Sequence, residues 1–449
     1  MENQDLGIAV KSGFPAYNLK KRKVAMTFLN KIPFSLLSLL LLCFSSFTAL
    51  SDRIMGRNAF FLAISLMIFI SLIQKKKVTI NKENKLLTIA IILMGLSQGI
   101  WAFFYGHEGD NIFLANENYG IVSRYLLVIG LSLLFINNLK TNKIININKE
   151  LLTVFFFAGF LYMCAVGLVY CYENPGERLR INSAATISGY IITLQGLFTL
   201  YLVDILNSKL KKLFLPIIIA VSLITLALTE TRSAILVFPA LVVLYFLTTR
   251  AYARKKILTV ALLFIISAPF AIKIFFPSTL DRLNSSYTEV ADIGVDNDSS
   301  IGARVSMWKA GIYAFEQHPL GQSAATRYKE VSYYIDKAES GNPEAKRNSI
   351  YHLHSDLIES LSLRGILGGF IYILLIISII YSAFKQGMLV DSLILFLLPI
   401  LLYGSVDTLF IDKRFVIVFG AQLLLYQLFP RKASGFQEVK TVTVAKKVS

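Results

Sequence analysis

The sequence has few of the residues from which metal centres, disulfide frameworks and proton pathways are built. It contains three cysteines and four histidines in 449 residues, and no Cys-x-x-Cys spacing. Cys43, Cys164 and Cys171 lie in or beside apolar runs, so neither a disulfide framework nor a zinc cluster is expected. Ionisable residues are also scarce inside these runs, whereas a proton-coupled transporter would place carboxylates near the middle of the membrane.

The sequence contains instead a series of long apolar runs, and 55% of its residues are hydrophobic. A bilayer core about 30 Å thick is spanned by roughly 17–25 apolar residues in a helix. The runs leave no room for a soluble domain of ordinary size. The pattern predicts an all-α integral membrane protein of about 12 transmembrane helices. They are expected near residues 32–50, 58–74, 86–105, 119–138, 151–172, 183–205, 213–228, 233–248, 257–276, 357–384, 390–409 and 415–430.

The net charge of +17 is distributed unevenly along the chain. Lysine and arginine cluster in alternate gaps between the runs, which predicts that these gaps and both termini are cytoplasmic. Much of the charge then orients the chain and contacts membrane lipids, and nucleic acid is not an expected partner. The predicted organisation is a cytoplasmic tail (1–31), nine transmembrane helices (32–276), a large periplasmic loop (277–356), three more helices (357–430) and a second cytoplasmic tail (431–449), in a bacterial inner membrane.

The loop 277–356 is far longer than any other gap, and long loops usually carry function or disorder. Within it, residues 301–315 place Val305, Trp308, Ile312 and Phe315 at helical spacing. We therefore expect an ordered outer subdomain of short helices that lie on the membrane.

Two arginines on the outer side are candidate phosphate ligands. Arg232 lies in the tight turn Thr229-Glu230-Thr231-Arg232-Ser233, where Thr231 or Ser233 can cap the next helix. A guanidinium beside free helix N–H groups suits a phosphate, although an interfacial arginine paired with Glu230 is an equal alternative. Arg304 opens the amphipathic helix of the loop and is either a second phosphate ligand or a solvated arginine.

Two of the four histidines, His352 and His354, lie where the loop re-enters the membrane. His354 and Gly365 are eleven residues apart, close to three helical turns, which predicts that they share a helix face. Gly365 and Gly368 are expected to let another helix approach closely. A neutral imidazole can take a proton from a hydroxyl, so either histidine is a candidate base, with a purely structural role as the alternative.

Three further polar features lie in outer gaps. Asp407 could orient an arginine or a histidine, or form a salt bridge with Lys413. Arg178 and Arg180 could contact an anionic head group. The Asp-x-Asp spacing at residues 296–298 occurs in metal-dependent sugar transferases, but no nucleotide-binding domain surrounds it, so an Asx-rich turn is the better interpretation.

Together these residues resemble the O-antigen ligase family. His354-Ser355 is followed after nine residues by Gly365 and, after two more, by Gly368. This pattern is similar to the H-[NSQ]-x9-G-x-x-[GTY] signature of that family. Thr229-Glu230-Thr231-Arg232-Ser233 resembles its T-x-T-R-[SA] segment, and Gly302-Ala303-Arg304 resembles its G-x-R. The histidine motif is the specific one, and the arginine segments support it by their order and location.

The resemblance implies a C-type glycosyltransferase (GT-C) fold. It implies O-antigen polysaccharide on undecaprenyl pyrophosphate as the donor and lipid A–core as the acceptor, in lipopolysaccharide biosynthesis. By carry-over, His354 is the catalytic base, and Arg232 and Arg304 bind pyrophosphate. His352, Arg180 and Asp407 are candidate supporting residues. Neither a metal nor another cofactor is expected.

Three alternatives stay open at the level of the sequence. An O-antigen polymerase of the same superfamily would share the donor, and a protein O-oligosaccharyltransferase would use a Ser or Thr acceptor. From a different class, a polysaccharide exporter or flippase also has about twelve spans. It should line a central cavity with charge and show repeat symmetry, and neither is clear in the sequence.

Overall fold

The computed structural model describes residues 34–73, 82–107, 113–140, 149–206, 209, 211–249, 253–291 and 299–429. Within these ranges the chain forms helices joined by turns, and no strand is present. The helices are α1 (Phe34–Ser51), α2 (Arg53–Ile73), α3 (Lys85–Tyr105), α4 (Leu114–Lys140), α5 (Lys149–Glu173), α6 (Ala185–Ile205), α7 (Lys211–Thr229), α8 (Arg232–Thr249), α9 (Arg254–Phe275), α10 (Pro277–Ala291), α11 (Ser300–Gln317), α12 (Ala324–Ala338), α13 (Pro343–Ser349), α14 (Asp356–Lys385), α15 (Leu389–Gly404) and α16 (Lys413–Leu428).

Nine helices of the described part of the chain are long and apolar enough to cross a membrane. A tenth, α9, passes as a pair of segments bent by 42° just before Pro269, whose ring removes a backbone donor. The shorter apolar helix α15 and the 16-residue helix α16 lie at the two remaining positions, so a helix lies at each of the twelve predicted spans. The predicted all-α, multi-pass membrane fold is confirmed.

The helix ends differ from the prediction where polar residues extend a helix beyond its apolar run. The prediction started α2 at residue 58, but Asp52 Oδ1 accepts the N–H groups of Ile54 and Met55 at 3.0 Å each and starts the helix at Arg53. At the other end of the chain, α15 stops at Gly404 and not at residue 409. Asp407 therefore lies in the segment that connects α15 to α16.

Two helices form the centre of the bundle. Nearly every residue of α6 and α16 is buried. Helices nearer the outside expose large apolar side chains, such as Phe103, Ile265 and Ile366, whose exposed fractions are 76%, 66% and 64%. Because a helix satisfies its own backbone hydrogen bonds, such surfaces are stable against lipid. The bundle is thus built around α6 and α16, with the apolar faces of the surrounding helices available to lipid.

The helices α10 to α13 lie in the segment 277–356, which the sequence predicts to be an outer subdomain, and that name is kept for them. A small apolar cluster holds α11, α12 and α13 together. Its core uses Ala303, Met307, Ala310 and Ala314 of α11, and not the predicted face, because Ile312 is 46% exposed. Small side chains allow a closer approach: a Cβ at Gly311 would lie 2.5 Å from Ile358 Cγ2. This packing brings α11 against the start of α14.

Candidate active site

His354 lies just before α14, which begins at Asp356 with Ser355 as its N-cap residue. Its backbone is left-handed (φ 51°), a conformation that costs a non-glycine residue about 1–3 kcal/mol and that clusters at functional sites. Trp308 Nε1 of α11 donates to the carbonyl oxygen of His354 at 3.1 Å. The imidazole is therefore held at a junction between the outer subdomain and the bundle.

A buried ion pair supports this junction. Arg327 Nη1 of α12 donates to Glu359 Oε1 of α14 at 2.7 Å, and both side chains are almost fully buried. Glu359 Oε2 accepts the N–H of Leu353 at 2.8 Å, and Arg327 Nη2 donates to the carbonyl of Ser349 at 3.2 Å. A buried charge pair is a weak source of stability but can favour one arrangement. Here it sets the path of the chain immediately before His354.

Asp407 faces the histidine. Its Oδ1 lies 3.3 Å from His354 Nδ1, and the Asp407 side chain is 3% exposed. Burial alone would raise the pKa of Asp407. The neighbouring imidazole of His354 and the charges of His352 and Arg304 outweigh burial, so the pKa of this carboxyl lies below its usual range. An ionised Asp407 favours the proton on His354 Nδ1 and leaves the lone pair on Nε2.

His352 is placed differently, although its ring lies 4.2 Å from that of His354 between centroids. Its Nδ1 accepts the backbone N–H of His354 at 3.3 Å, and its Nε2 lies 3.7 Å from Asp407 Oδ1. Burial, with a contribution from His354, lowers the pKa of His352 to about 3, against a partial opposing effect of Asp407. His352 is therefore neutral near pH 7.

His352, His354 and Asp407 are also the one group of the described residues that could hold a metal, with ligand atoms within 4.8 Å of one another. The hydrogen bond into His352 Nδ1 requires that ring to carry its proton on Nε2, the atom that faces Asp407. His352 would have to exchange tautomers before it could act as a metal ligand. The donor set therefore fits a histidine oriented by a carboxylate better than it fits a metal. The Asp-x-Asp segment 296–298 lies outside the described residues.

Arg304, near the start of α11, interacts electrostatically with Asp407, His352 and Tyr190. Its Nη1 donates to Ser300 Oγ at 3.2 Å, and its Nε is buried without a hydrogen-bond partner among the described residues. The guanidinium is thus beside the histidine cluster, and no carboxylate of the described residues forms an ion pair with it.

Arg232 begins α8, and the residue after it connects this helix to the cluster. Ser233 Oγ lies 3.4 Å from the hydroxyl of Tyr190, whose electrostatic neighbours include Asp407 and Arg304. The Arg232 side chain itself forms an ion pair with Glu289 of α10. Glu230, the partner considered in the sequence analysis, pairs with Arg282 at 3.3 Å instead. Arg232, Arg304 and His354 therefore belong to one region of the molecule.

The two arginines of the 173–182 gap have different surroundings. Arg178 Nε donates to the carbonyl of Thr229 at 2.9 Å and so lies against the Thr229–Ser233 turn. Burial and the neighbouring Arg282 lower the pKa of Arg178 to about 10, although Glu230 opposes this. Arg180 is half exposed and is held on the surface by Glu177 and Tyr170. Of the two candidate arginines, Arg178 thus lies against the turn that holds Arg232, and Arg180 lies on the surface.

The motif glycines act differently from the prediction. Gly365 does not continue the helix from His354, because its φ of 65° and ψ of −159° break α14. This is a region of backbone conformation that is essentially restricted to glycine. The close neighbour is the 319–321 loop and not another helix: a Cβ at Gly365 would lie 2.3 Å from the carbonyl oxygen of Pro319. At Gly368 a Cβ would lie 2.5 Å from the carbonyl oxygen of Ser360. Both glycines therefore shape the kink.

A pair of glycine variants tests this interpretation. Gly387 has almost the same φ as Gly365, 66°, but an added Cβ there has no atom within 4 Å. Gly387→Ala should cost about 1–2 kcal/mol of strain, whereas Gly365→Ala adds a backbone clash of about 1–3 kcal/mol. We expect Gly365→Ala to lower the melting temperature of the purified protein more than Gly387→Ala does. Equal melting temperatures would show that the close approach of the loop is unimportant.

Sequence reasoning missed Glu289 and the pair Arg327–Glu359. Glu359 could have been noticed, because a carboxylate about one turn into an apolar run is unusual and needs a partner. Its partner is 32 residues away in another helix, so no local pattern points to it. Glu289 carries no local signal that separates it from a solvated glutamate.

Comparisons with known proteins concern the family of the chain. A family model described as O-antigen ligase matches residues 217–373, which include Arg232, Arg304, His354, Gly365 and Gly368. The chain is 25% identical to the O-antigen ligase of Escherichia coli (strain K12) over 399 residues, covering 86% of this chain and 91% of that protein.

A second relative is an uncharacterised protein of Haemophilus influenzae, 24% identical over 339 residues, which covers 72% of this chain and 78% of that protein. The family match spans the outer subdomain and both candidate arginines, and the first relative covers most of the bundle. The predicted resemblance is confirmed: the family model and the Escherichia coli relative both support the O-antigen ligase family for this multi-pass membrane protein, and that family implies a glycosyl-transferring enzyme.

Proposed function

We propose that this protein is an O-antigen ligase that transfers O-antigen polysaccharide from undecaprenyl pyrophosphate to lipid A–core. The transfer takes place at the periplasmic face of the bacterial inner membrane. Membership of the ligase family and the apolar helix bundle support the class of reaction and its membrane setting. The observation that carries the proposal is the pairing of His354 with Asp407 beside the guanidinium of Arg304.

In the proposed mechanism, His354 Nε2 accepts the proton of an acceptor hydroxyl while that oxygen attacks the anomeric carbon of the donor. The new C–O bond forms as the bond from that carbon to the pyrophosphate oxygen breaks, so a single displacement inverts the configuration. Asp407 holds the productive tautomer and stabilises the imidazolium that forms, as an orienting carboxylate does in a hydrolase triad. The proton ends on His354, and the pyrophosphate leaves as an anion.

The leaving group needs charge stabilisation more than it needs a proton. Arg304 and Arg232 provide planar, permanently charged donors that match phosphate oxygens. Fixed donors of this kind stabilise charge as it develops, and no metal or nucleotide sugar is needed in this scheme.

The geometry favours His354 over His352 as the base. His352 has its Nδ1 occupied by a backbone N–H and a strongly lowered pKa, so it is a weak proton acceptor. His354 is 19% exposed and has a carboxylate that orients it, which leaves Nε2 able to meet a substrate. In this proposal His352 supports the backbone of His354.

The proposed topology follows the charge bias. Residues 277–356 form the periplasmic subdomain, and the tails 1–31 and 431–449 are cytoplasmic, outside the described residues. This arrangement puts the histidine cluster at the outer leaflet, where both lipid-linked substrates are presented.

Complementation tests the proposal directly. In a strain that lacks its own ligase, this gene should restore O-antigen on lipid A–core, as detected by immunoblotting of purified lipopolysaccharide. A change of polymer length without attachment would favour a polymerase. Retention of the undecaprenyl-linked glycan on the cytoplasmic face when the gene is absent would favour an exporter.

A further inference from the structure

The guanidinium of Arg232 is already bound to an anion. Its Nη1 donates to Glu289 Oε2 at 2.9 Å and its Nη2 donates to Glu289 Oε1 at 2.7 Å. Nη2 also donates to Ser285 Oγ at 2.9 Å. The two charged side chains are mostly buried, with exposed fractions of 22% for Arg232 and 14% for Glu289. This two-point contact is the one that an arginine makes with a phosphate.

The carboxylate of Glu289 has a further donor. Its Oε2 accepts the backbone N–H of Ile301, in the first turn of α11, at 3.3 Å. The N-terminal N–H groups of a helix attract anions, and Arg304 follows on the same turn. Glu289 thus lies where an arginine fork, a serine hydroxyl and a helix N-terminus converge, and it joins α8 to the helix that carries Arg304. This set of donors would also bind a phosphate group.

The helix that carries Glu289 has few apolar contacts. Thr279 is its one buried residue, and Thr279 Oγ1 donates to the carbonyl of Ala227 at 2.9 Å near the start of α10. Toward the other end, Tyr287 and Val290 are 81% and 56% exposed. The end that bears Glu289 is therefore held largely by polar contacts, and segments with few buried apolar contacts open at low cost.

We infer that Glu289 occupies a phosphate subsite of the donor, formed by Arg232, Ser285 and the N–H of Ile301, and that it leaves when the donor binds. This inference rests on the proposed function. The carboxylate keeps Arg232 oriented and neutralised in the absence of substrate, and the donor phosphate takes over its hydrogen bonds. A ligand must compete with this internal anion, so removal of its charge tightens binding of the ligand.

Binding of undecaprenyl pyrophosphate to the full-length protein in lipid nanodiscs tests the inference, with undecaprenol as the probe that lacks phosphate. Glu289→Gln keeps the shape and removes the charge, and should lower the Kd for undecaprenyl pyrophosphate about tenfold. Glu289→Asp keeps the charge with a shorter reach and should give a smaller decrease. Glu344→Gln is the matched control, because it removes a carboxylate from an exposed pair with Arg347 in the same subdomain. Glu344→Gln should leave the Kd for undecaprenyl pyrophosphate unchanged. None of these variants should change the Kd for undecaprenol.

Arg232→Ala separates this inference from the proposed function. If Arg232→Ala weakens binding of undecaprenyl pyrophosphate while Glu289→Gln leaves it unchanged or weaker, the donor site stands and the subsite role of Glu289 is overturned. If Arg232→Ala and Arg304→Ala both leave the Kd unchanged, the donor site itself is wrong. Should Glu289→Gln fail to fold, a Kd for Glu289→Asp equal to or above that of the wild type overturns the inference.

Discussion

His354→Ala is expected to lower the rate of polymer transfer by about a hundred- to ten-thousand-fold, the range usually contributed by a positioned general base. The alcohol of a sugar is a poor nucleophile until its proton is removed. Among the described residues, no other group beside Asp407 has a free proton-accepting nitrogen. The measurement is the initial rate of transfer to lipid A–core by purified protein, at equal amounts of folded enzyme.

Two other histidines provide controls for this result. His352→Ala removes the acceptor for the His354 backbone N–H, and we expect a smaller loss of about tenfold. His318→Ala removes an exposed side chain that lies 3.8 Å from Glu330 and should leave the rate unchanged. A His352→Ala variant that is less active than a folded His354→Ala variant would reverse the assignment of the base.

Arg304→Ala is expected to lower kcat by about a hundred- to a thousand-fold, the usual cost of losing one donor to a developing charge. The negative charge on the leaving pyrophosphate grows as the sugar–oxygen bond breaks, so the loss falls on kcat as well as on kcat/KM. Arg304→Lys should restore little, because an ammonium lacks the planar pair of donors. Steady-state kinetics with varied donor would measure both quantities.

Lys309 on the same helix offers the control for Arg304. Its side chain is half exposed and pairs with Glu339 at 2.8 Å, away from the histidine cluster. Lys309→Ala should change neither kcat nor KM by more than about twofold. An Arg304→Lys variant with nearly full activity would mean that charge alone, and not the fork of donors, is used at this position.

The fold was largely predictable because a bilayer imposes a strong and local constraint. Apolar runs of spanning length and the alternation of basic gaps placed all twelve helices, and most ends agree within a few residues. Three ends differ by about five residues: the starts at Arg53 and Leu114 and the end at Gly404. The start at Arg53 depends on capping by Asp52. Such capping is an individual contact that hydropathy does not report.

The candidate site was predictable only in part. The histidine motif and the two arginine segments pointed to His354, Arg232 and Arg304, and the structure brings them into one region. Whether Asp407 would orient a histidine or bind Lys413 stayed open in the sequence. The structure pairs Lys413 with Glu117 at 2.6 Å, which leaves Asp407 to the histidines.

By itself, the amino-acid sequence determined the membrane setting, the positions of the twelve apolar helices and the chemical types of the candidate residues, since each depends on composition and local spacing. Tertiary structure alone decided their partners. Glu289 binds Arg232, Glu359 binds Arg327, and Arg178 contacts the Thr229 carbonyl, because such contacts join segments far apart in the chain. The role of Gly365 was also decided there, since only the approach of residues 319–321 shows why no side chain fits.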